Sequence, residues 1–216
     1  MIQHVIFDLS EVLLPGMMGV EVRLSAQTGL PQDTITQALG SYPHYEAGNI
    51  LDDLLKGKLS YEQYRDTFLR STGLPATSAG LFDAECLRMF ESPYDYTEAL
   101  LARAAGTCDL FLLSDHCETW ARWIRQRHAF LARFKDVVWS YEIGATKREA
   151  KPFEVILSRN GLQADACLFV DDLERNIRMA RSLGMQAVHF QGRHSIPDVY
   201  AAIGGTPRTH NRGGSS

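Results

Sequence analysis

The sequence of 216 residues lacks the features of several specialised protein classes. Its four cysteines, Cys86, Cys108, Cys117 and Cys167, form no Cys-x-x-Cys pair, and no His-x-x-x-His spacing accompanies them. Neither a disulfide framework nor a zinc site is therefore expected. Basic residues are not in excess, because 22 Lys and Arg face 26 Asp and Glu and give a formal charge of −4. Nucleic acid is thus not expected as the main partner.

Long apolar stretches are also missing. No run reaches the roughly 18 apolar residues that a membrane span requires. The apolar beginning of the chain is interrupted by Asp8 and Glu11, and no basic residue precedes it, which does not fit a secretory signal. We expect a cytoplasmic protein with no membrane partner, and a flexible tail over the small, polar residues 205–216. No feature indicates an oligomeric state.

Short apolar runs predict the strands of a sheet. Four of them predict buried strands, at residues 4–7, 109–113, 167–170 and 187–190. A weaker run predicts a fifth strand at residues 137–140. Helical periodicity occupies the intervals 96–105, 118–128, 150–160 and 173–183. Strands that alternate with helices indicate an α/β fold in which a doubly wound, Rossmann-like parallel sheet is covered on both faces.

A different kind of sequence lies after the first strand. Residues 16–91 show helical periodicity without a convincing strand, and Ser60 with Gln63 fits a helix-starting capping box. We expect a small helical cap over these residues, packed over the carboxyl edge of a core formed by residues 1–15 and 92–204. Ligands bind at that edge in open α/β sheets.

Polar side chains follow the predicted strands at the positions where those strands end. They are Asp8, Ser114 with Asp115, Lys147, and Asp171 with Asp172. The carboxyl ends of parallel strands meet at one edge, so these residues are expected to lie close together. Carboxylates suit Mg²⁺ by ligand hardness, while a serine, a lysine and loop amides could hold a phosphoryl group.

Four segments in this order resemble the motifs of the haloacid dehalogenase-like (HAD) hydrolase superfamily, in its branch with a helical cap inserted after the first motif. VIFDLSEVLL is similar to the first motif, FLLSD to the second and GATK to the lysine loop. FVDDLERN, followed by ARSLGMQAV, is similar to the acidic fourth motif. The resemblance spans nearly the whole chain and implies a hydrolase.

The resemblance implies a Mg²⁺-dependent phosphomonoesterase that acts on a small phosphorylated metabolite, possibly a sugar phosphate. Asp8 would attack phosphorus and form an aspartyl-phosphate. Ser114, Lys147, Asp115 and Ser10 would surround the phosphoryl group.

The resemblance also implies a Mg²⁺ site. Asp8, Asp171 and the backbone carbonyl of Ser10 would hold the ion. Asp172 belongs to the same metal site, either as a ligand or by orienting a metal-bound water or accepting from Lys147. One helical turn later, Asn176 would tie this loop to the site.

Two lysines compete for the motif position. Lys151-Pro152 matches the family's usual Lys-Pro pair, but spacing favours Lys147. The family places an aromatic residue six positions after its lysine and a helix-ending glycine fourteen positions after it, and here Phe153 and Gly161 fit Lys147 without a gap.

Ser10 departs from the family pattern, which usually has an aspartate there as general acid and base. A hydroxyl cannot do this work near neutral pH, and such catalysis contributes about 10²–10⁴-fold. We therefore expect a preference for esters with good leaving groups, such as anomeric sugar phosphates or aryl phosphates. Glu11, His44 or Glu46 could replace the missing acid.

Two other functions stay open. The first is a metal-independent 2-haloacid dehalogenase, and the second is a non-catalytic phosphate-binding or scaffold protein. The neighbouring His116 and Cys117 could serve as metal ligand or nucleophile, but the favoured interpretation is that they are helix-start residues that face solvent or core. Trp120 and Trp123 are interpreted as packing residues. The cluster Tyr42, His44, Tyr45 and Glu46 fits either substrate selection or a solvated helix end.

Overall fold

The structure, a computed structural model, describes residues 1–42 and 44–204. The expected flexible tail, residues 205–216, lies outside the described residues. The strands lie within a residue of the predicted ones, and they are β1 (His4–Phe7), β2 (Asp109–Ser114), β3 (Asp136–Trp139), β4 (Cys167–Asp171) and β5 (Gln186–His189).

The five strands form one parallel sheet in the order β3-β2-β1-β4-β5. The chain runs outward from β1 to one side and then returns to build the other side, so the direction of winding reverses between β1 and β4. In open α/β sheets this reversal opens a crevice at the carboxyl ends of the strands. Phe7 pairs with Val170 across the crevice. The residues that follow them, Asp8 and Asp171, therefore face each other at its mouth.

Eleven α-helices accompany the strands within the described residues. In the segment between β1 and β2 they are α1 (Val20–Thr28), α2 (Gln32–Ala38), α3 (Ile50–Leu55), α4 (Tyr61–Thr72), α5 (Ala79–Arg88) and α6 (Thr97–Ala105). The later ones are α7 (Glu118–Arg127), α8 (Ser140–Ile143), α9 (Lys151–Asn160), α10 (Glu174–Ser182) and α11 (Ile196–Ile203).

Alternate residues of the central strands pack on opposite faces of the sheet, as the two-residue period of a strand requires. Phe7 and Val5 of β1 belong to the apolar cluster that includes residues of α6, α7 and α11, whereas Ile6 joins the cluster formed with α9 and α10. Both faces are thus covered by helices, which confirms the predicted doubly wound α/β fold. All four cysteines are buried and free.

The segment of residues 16–91 contains helices α1 to α5 and, among its described residues, no strand. The expected capping box at the start of α4 is confirmed, because the side chains and backbone amides of Ser60 and Gln63 exchange hydrogen bonds. Apolar residues of these helices share one cluster with the sheet. The division of the chain into a cap and a core stays a prediction. None of the helices in the described ranges has both the length and the apolar character that crossing a bilayer requires.

Candidate active site

The end of β1 places Asp8 at the centre of the site. Its backbone N–H donates to the carbonyl of Val170 at 2.8 Å, which extends the pairing of β1 with β4 by one residue. Ser114, the last residue of β2, lies on the other side, and its hydroxyl donates to Asp8 Oδ1 at 3.2 Å. Both side chains are buried. Parallel pairing thus brings together two residues that are 106 positions apart in the sequence.

The two oxygens of Asp8 have different surroundings. Oδ1 accepts from the backbone N–H of Leu9 at 2.7 Å, from the Ser114 hydroxyl, and from the Lys147 ammonium at 2.7 Å. Among the described residues, no hydrogen bond is directed at Oδ2. Three donors therefore fix the orientation of the carboxylate through one oxygen and leave the other oxygen to meet a ligand.

Lys147 bridges the two sides of the crevice. Its side chain is only 2% exposed, and Nζ lies 2.7 Å from both Asp8 Oδ1 and Asp171 Oδ2. Burial opposes the charged form of this lysine, but Asp171 and Asp8 outweigh it and raise the pKa of Lys147. Asn176 Nδ2 donates to both oxygens of Asp171, at 3.0 and 3.1 Å, so it ties helix α10 to the site as expected.

The structure separates the two candidate lysines. Lys151 is exposed at the start of α9, where its ammonium donates to the Ile143 carbonyl. The loop that carries Lys147 is held by Asp115, whose carboxylate oxygens accept from the backbone N–H of Lys147 at 3.1 and 3.2 Å. Asp115 lines the cavity, as a phosphate-binding residue would. Its hydrogen bonds, however, position the lysine loop, and the sequence did not predict this contact.

Three carboxylates form a cluster beside this lysine. Asp8, Asp171 and Asp172 each offer an oxygen within 4.8 Å of the others. Burial and the neighbouring carboxylates raise the pKa of Asp8 against the effect of Lys147, and burial together with Asp171 raises the pKa of Asp172 to about 7. The described contacts of Lys147 Nζ are with Asp8 and Asp171, so the alternative in which Asp172 accepts from this lysine is not seen.

The donor set of this cluster fits a hard divalent cation. Three oxygen-bearing acids face one ammonium group, so the buried cluster carries uncompensated negative charge when all three acids are ionised. Mg²⁺ is bound by one or two carboxylates together with other oxygens, and it would offset the repulsion between carboxylates that adds to the effect of burial on these pKa values. Ser10 lies in the loop directly after Asp8, where its carbonyl was expected to complete the site.

That loop is shaped by an unusual backbone. Glu11 adopts a positive φ of 60°. Its carboxylate accepts from the backbone N–H of Gly16 and from the Tyr94 hydroxyl, both at 2.8 Å. A side chain at Gly16 would come within 2.9 Å of Ser10 Cβ, so glycine is what allows the loop to fold back over Ser10. Because both Glu11 oxygens hold this loop, its predicted role as a replacement acid is not favoured.

His116 is the site residue that the sequence did not reveal. The side chain is buried, and the core was one of the two environments expected for it. Its ring nevertheless contacts two hydroxyls of the site. Nδ1 lies 2.9 Å from Ser114 Oγ, and Nε2 lies 3.2 Å from Ser10 Oγ. Burial, with a contribution from the Lys147 ammonium, lowers the pKa of His116 to about 3. In the sequence, the feature that indicated a place at the site was its position two residues after Ser114, the last residue of β2.

A small, partly enclosed cavity that opens to solvent leads to Asp8. Besides the polar residues of the site, its walls are largely apolar and aromatic, and they include Met17, Tyr42, Tyr45, Leu51, Leu55, Phe90 and Trp120. Trp120 thus packs in the core and also lines the cavity. His44 and Glu46 are exposed and do not line it, so neither is placed to replace the missing acid.

Tyr45 joins the helical segment to the sheet edge. Its ring lies under the guanidinium groups of Arg148 and Arg175, at 4.3 and 5.1 Å from the ring centroid, and its carbonyl accepts from Arg148. Of the cluster noted in the sequence, Tyr42 and Tyr45 therefore reach the cavity.

Comparisons with known proteins identify several that are similar to this chain. A glyceraldehyde 3-phosphate phosphatase of Methanocaldococcus jannaschii is 28% identical over 199 residues, which cover 87% of this chain and 84% of that protein. Mouse acyl-CoA dehydrogenase family member 10 is 27% identical over 215 residues, covering 94% of this chain, but the chain spans only 19% of that protein's length. A HAD family enzyme of Bacteroides thetaiotaomicron, in complex with magnesium and inorganic phosphate, superposes with a TM-score of 0.72 at 20% identity, covering 87% of this chain and 93% of the other.

The sequence model of one family matches residues 2–184, which include every residue of the site described above. The resemblance to this superfamily noted in the sequence is thereby confirmed, while the branch with a helical cap stays a prediction. The chain belongs to the haloacid dehalogenase-like hydrolases.

Proposed function

We propose that this hydrolase is a Mg²⁺-dependent phosphomonoesterase acting on a small phosphorylated metabolite. The observation that carries the proposal is the arrangement of Asp8, whose Oδ1 is held by three donors while Oδ2 is left for a ligand. The phosphatase from Methanocaldococcus jannaschii and the magnesium and phosphate complex from Bacteroides thetaiotaomicron support the same chemistry.

Asp8 is the proposed nucleophile. Its Oδ2 forms a bond to phosphorus while the bond between phosphorus and the leaving oxygen breaks, and the leaving group departs with the bonding electron pair. Attack of water on the aspartyl-phosphate then releases inorganic phosphate and restores Asp8. Covalent catalysis of this kind divides one difficult hydrolysis into two easier steps.

Lys147 and Ser114 are proposed to prepare the nucleophile and to receive the phosphoryl oxygens. The ammonium of Lys147 lies 2.7 Å from Asp8 and places a positive charge where the negative phosphoryl group must approach. The Ser114 hydroxyl is within hydrogen-bond distance of the same carboxylate. Fixed donors of this kind stabilise charge that develops during phosphoryl transfer.

Asp8, Asp171 and Asp172, with the carbonyl of Ser10, are the residues that would hold Mg²⁺. When bound, the ion neutralises phosphoryl oxygens and lets an anionic nucleophile approach an anionic substrate. Asn176 keeps Asp171 oriented toward the cluster through its two hydrogen bonds.

We further propose that residues 16–91 act as the cap that selects the substrate. Tyr42, Tyr45, Leu51 and Leu55 from this segment line the cavity above Asp8. Their apolar and aromatic surfaces favour a small substrate over a polymer. Location in the cytoplasm stays a prediction from the sequence.

The test is a phosphatase screen over phosphorylated metabolites and aryl phosphates, with Mg²⁺ and with EDTA. Turnover that requires Mg²⁺ and is lost in Asp8→Asn is expected. Asp165→Asn is the matched control, because Asp165 is an exposed aspartate just before β4, at the opposite end of the sheet. Halide release without metal would indicate a dehalogenase instead, and binding of phosphate without turnover would indicate a non-catalytic protein.

A further inference from the structure

One imidazole joins the two hydroxyls that flank the proposed nucleophile. The Ser114 hydroxyl donates to Asp8 Oδ1, and the same Ser114 oxygen lies 2.9 Å from His116 Nδ1. On the other side of the ring, His116 Nε2 lies 3.2 Å from Ser10 Oγ. Asp8, Ser114, His116 and Ser10 therefore form one continuous chain of hydrogen bonds.

The direction of this chain follows from counting hydrogens. A hydroxyl has one hydrogen, and an ionised carboxylate can only accept, so a hydrogen bond between Ser114 and Asp8 requires that the Ser114 hydrogen be directed at Asp8. The Ser114 oxygen can therefore only accept from His116, so Nδ1 is the ring nitrogen that carries the hydrogen.

The surroundings of the ring favour its neutral form. It packs edge-on against the rings of Phe90, Trp120 and Trp139, at centroid distances of 5.3, 6.3 and 5.4 Å. In the described part of the chain, no hydrogen bond or ion pair joins His116 to a carboxylate. A neutral imidazole has one N–H, so Nε2 is an acceptor and takes the hydrogen of Ser10.

We propose that His116 is a positioning residue that fixes the Ser10 hydroxyl as a hydrogen-bond acceptor toward the cavity, so that Ser10 supplies no proton to a leaving oxygen. The inference rests on the proposed phosphatase function and names its substrate class. The substrates are phosphate esters and anhydrides whose leaving oxygen is stable without a proton. Aryl, enol and acyl phosphates belong to this class, as do sugar phosphates esterified at the anomeric carbon.

The other hydroxyls on the cavity wall do not replace the missing donor. Burial raises the pKa of Tyr42, and burial together with Asp115 raises the pKa of Tyr45 to about 12, so both phenols release a proton less readily than usual. A divalent cation held by Asp172 favours the ionised form of that acid. Asp115 also lines the cavity, but both of its oxygens accept from the backbone N–H of Lys147, so the leaving group is expected to depart as an anion and to take its proton from solvent.

The first test reads the tautomer of His116 without any turnover. Nitrogen NMR on the ¹⁵N-histidine-labelled full chain distinguishes a protonated ring nitrogen from a bare one, and His116→Asn identifies the signals of this residue. A protonated Nδ1 and a bare Nε2 are expected near neutral pH. The opposite tautomer, or a doubly protonated ring, would overturn the proposal whatever the enzyme's activity.

The second test measures kcat/KM with Mg²⁺ for a series of aryl and alkyl phosphates that differ in the pKa of the leaving group. For the native protein we expect kcat/KM to fall steeply as that pKa rises. Ser10→Ala is expected to change kcat/KM by a similar factor for all esters, because the lost hydrogen pointed at His116. Ser10→Asp introduces a carboxyl group and is expected to raise kcat/KM for alkyl phosphates by about 10-fold or more.

His116→Asn retains an amide at the position of Nδ1 but removes the acceptor of the Ser10 hydrogen, so the Ser10 hydroxyl becomes free to donate a hydrogen bond, though not a proton, to the leaving oxygen, and the dependence on the leaving group is expected to become slightly shallower. His128→Asn is the matched control, since His128 is a second buried histidine that does not line the cavity and whose Nε2 contacts the backbone carbonyl of Phe90.

A selective loss of alkyl phosphate turnover in Ser10→Ala would show that Ser10 does donate a proton, and it would overturn the proposal. If no ester of the series is hydrolysed, the phosphatase function and the substrate class both fail. In that case the NMR measurement of the His116 tautomer still tests the direction of the hydrogen bonds between Ser114, His116 and Ser10.

Discussion

At the scale of single residues, Lys147 is a buried cation that forms ion pairs with two buried carboxylates. Its ammonium is buried between Asp8 and Asp171, at 2.7 Å from each. Removing one partner of a buried ion pair leaves uncompensated charge, which typically costs about 3–5 kcal/mol. Lys147→Met is therefore expected to lower the free energy of unfolding by about this amount in a urea titration without metal, and to reduce phosphatase turnover by about 100-fold or more.

Lys151→Met provides the control for this substitution. Lys151 is exposed and bonds only a backbone carbonyl among the described contacts, so its replacement is expected to change stability by no more than about 0.5 kcal/mol. A larger effect at Lys151 than at Lys147 would mean that the Lys-Pro pair, and not the spacing of the following helix, identifies the family lysine.

The carboxylate cluster predicts how pH and Mg²⁺ act together. Because burial and Asp171 raise the pKa of Asp172 to about 7, the folded metal-free protein holds a proton there that an unfolded chain would release. This contribution to stability is present at low pH and is lost as the pH rises through 7. Mg²⁺ needs the ionised acid, so its affinity is expected to increase over the same range.

Melting temperatures with Mg²⁺ and with EDTA, at about pH 6.5 and pH 8, measure this coupling. His116 is neutral in both the folded and the unfolded chain over most of this interval, since its pKa is lowered to about 3 and an unperturbed histidine titrates near ~6.5. The stabilisation by Mg²⁺ should be larger at the higher pH and absent in Asp171→Asn. Equal stabilisation at both values would contradict a site that includes Asp172.

Which residues could be predicted depends on how their positions are determined. Asp8, Ser114 and Asp171 follow directly from strand ends, because parallel pairing brings those ends to one edge. The contacts of His116 depend instead on packing against Phe90 and Trp139 from distant parts of the chain, as well as the nearby Trp120, and sequence spacing does not indicate the two distant contacts. The positive φ of Glu11 is likewise set by the loop fold.

At the scale of elements, apolar runs located all five strands to within a residue. Helix α8 could not be predicted, because its four residues are too short for any periodicity. A tertiary contact stabilises it, since the hydroxyl of Ser140 donates to the carbonyl of Leu55 at 2.6 Å. The short helix thereby depends on the segment of residues 16–91 that packs against it.

The capping box of α4 gives a prediction at this scale. Ser60→Ala removes the hydroxyl that accepts from the backbone N–H of Gln63, and losing such a cap typically costs about 0.5–2 kcal/mol. Thermal unfolding should show a melting temperature lower by a few degrees (about 2–4 °C per kcal/mol for a chain of this size). Turnover is expected to stay unchanged, because Ser60 does not line the cavity above Asp8.

Ser158→Ala is the matched control for the capping residue. Ser158 is an exposed serine within α9 whose hydroxyl bonds the carbonyl of Val155 in the same helix. Its replacement is expected to alter stability by no more than about 0.5 kcal/mol. An equal loss in both variants would show that the capping hydrogen bonds contribute nothing beyond an ordinary surface serine.

At the scale of the whole molecule, aromatic rings connect the helical segment to the sheet. Trp120 of α7 packs edge-on against Tyr61 and Tyr64 of α4, at centroid distances of 6.1 and 6.5 Å. Phe82 of α5 lies 4.5 Å from Phe68 and continues the same cluster. The apolar interior on this face of the sheet is therefore continuous with the interior of the five helices.

This continuity predicts that the helical segment and the sheet unfold together. Phe68→Ala truncates a fully buried ring and should cost about 3–5 kcal/mol. All three tryptophans lie in α7 and β3, but Trp120 also contacts Tyr61 and Tyr64 of the helical segment, so the titration uses a Trp120→Phe background in which the fluorescence of Trp123 and Trp139 reports on the sheet side. In a urea titration of Phe68→Ala, the fluorescence and circular dichroism midpoints should fall together, while Val22→Ala, at an exposed position of α1, should leave both in place. A fluorescence midpoint that stays at its native value while circular dichroism shows an earlier loss of helix would mean that the five helices unfold as an independent unit.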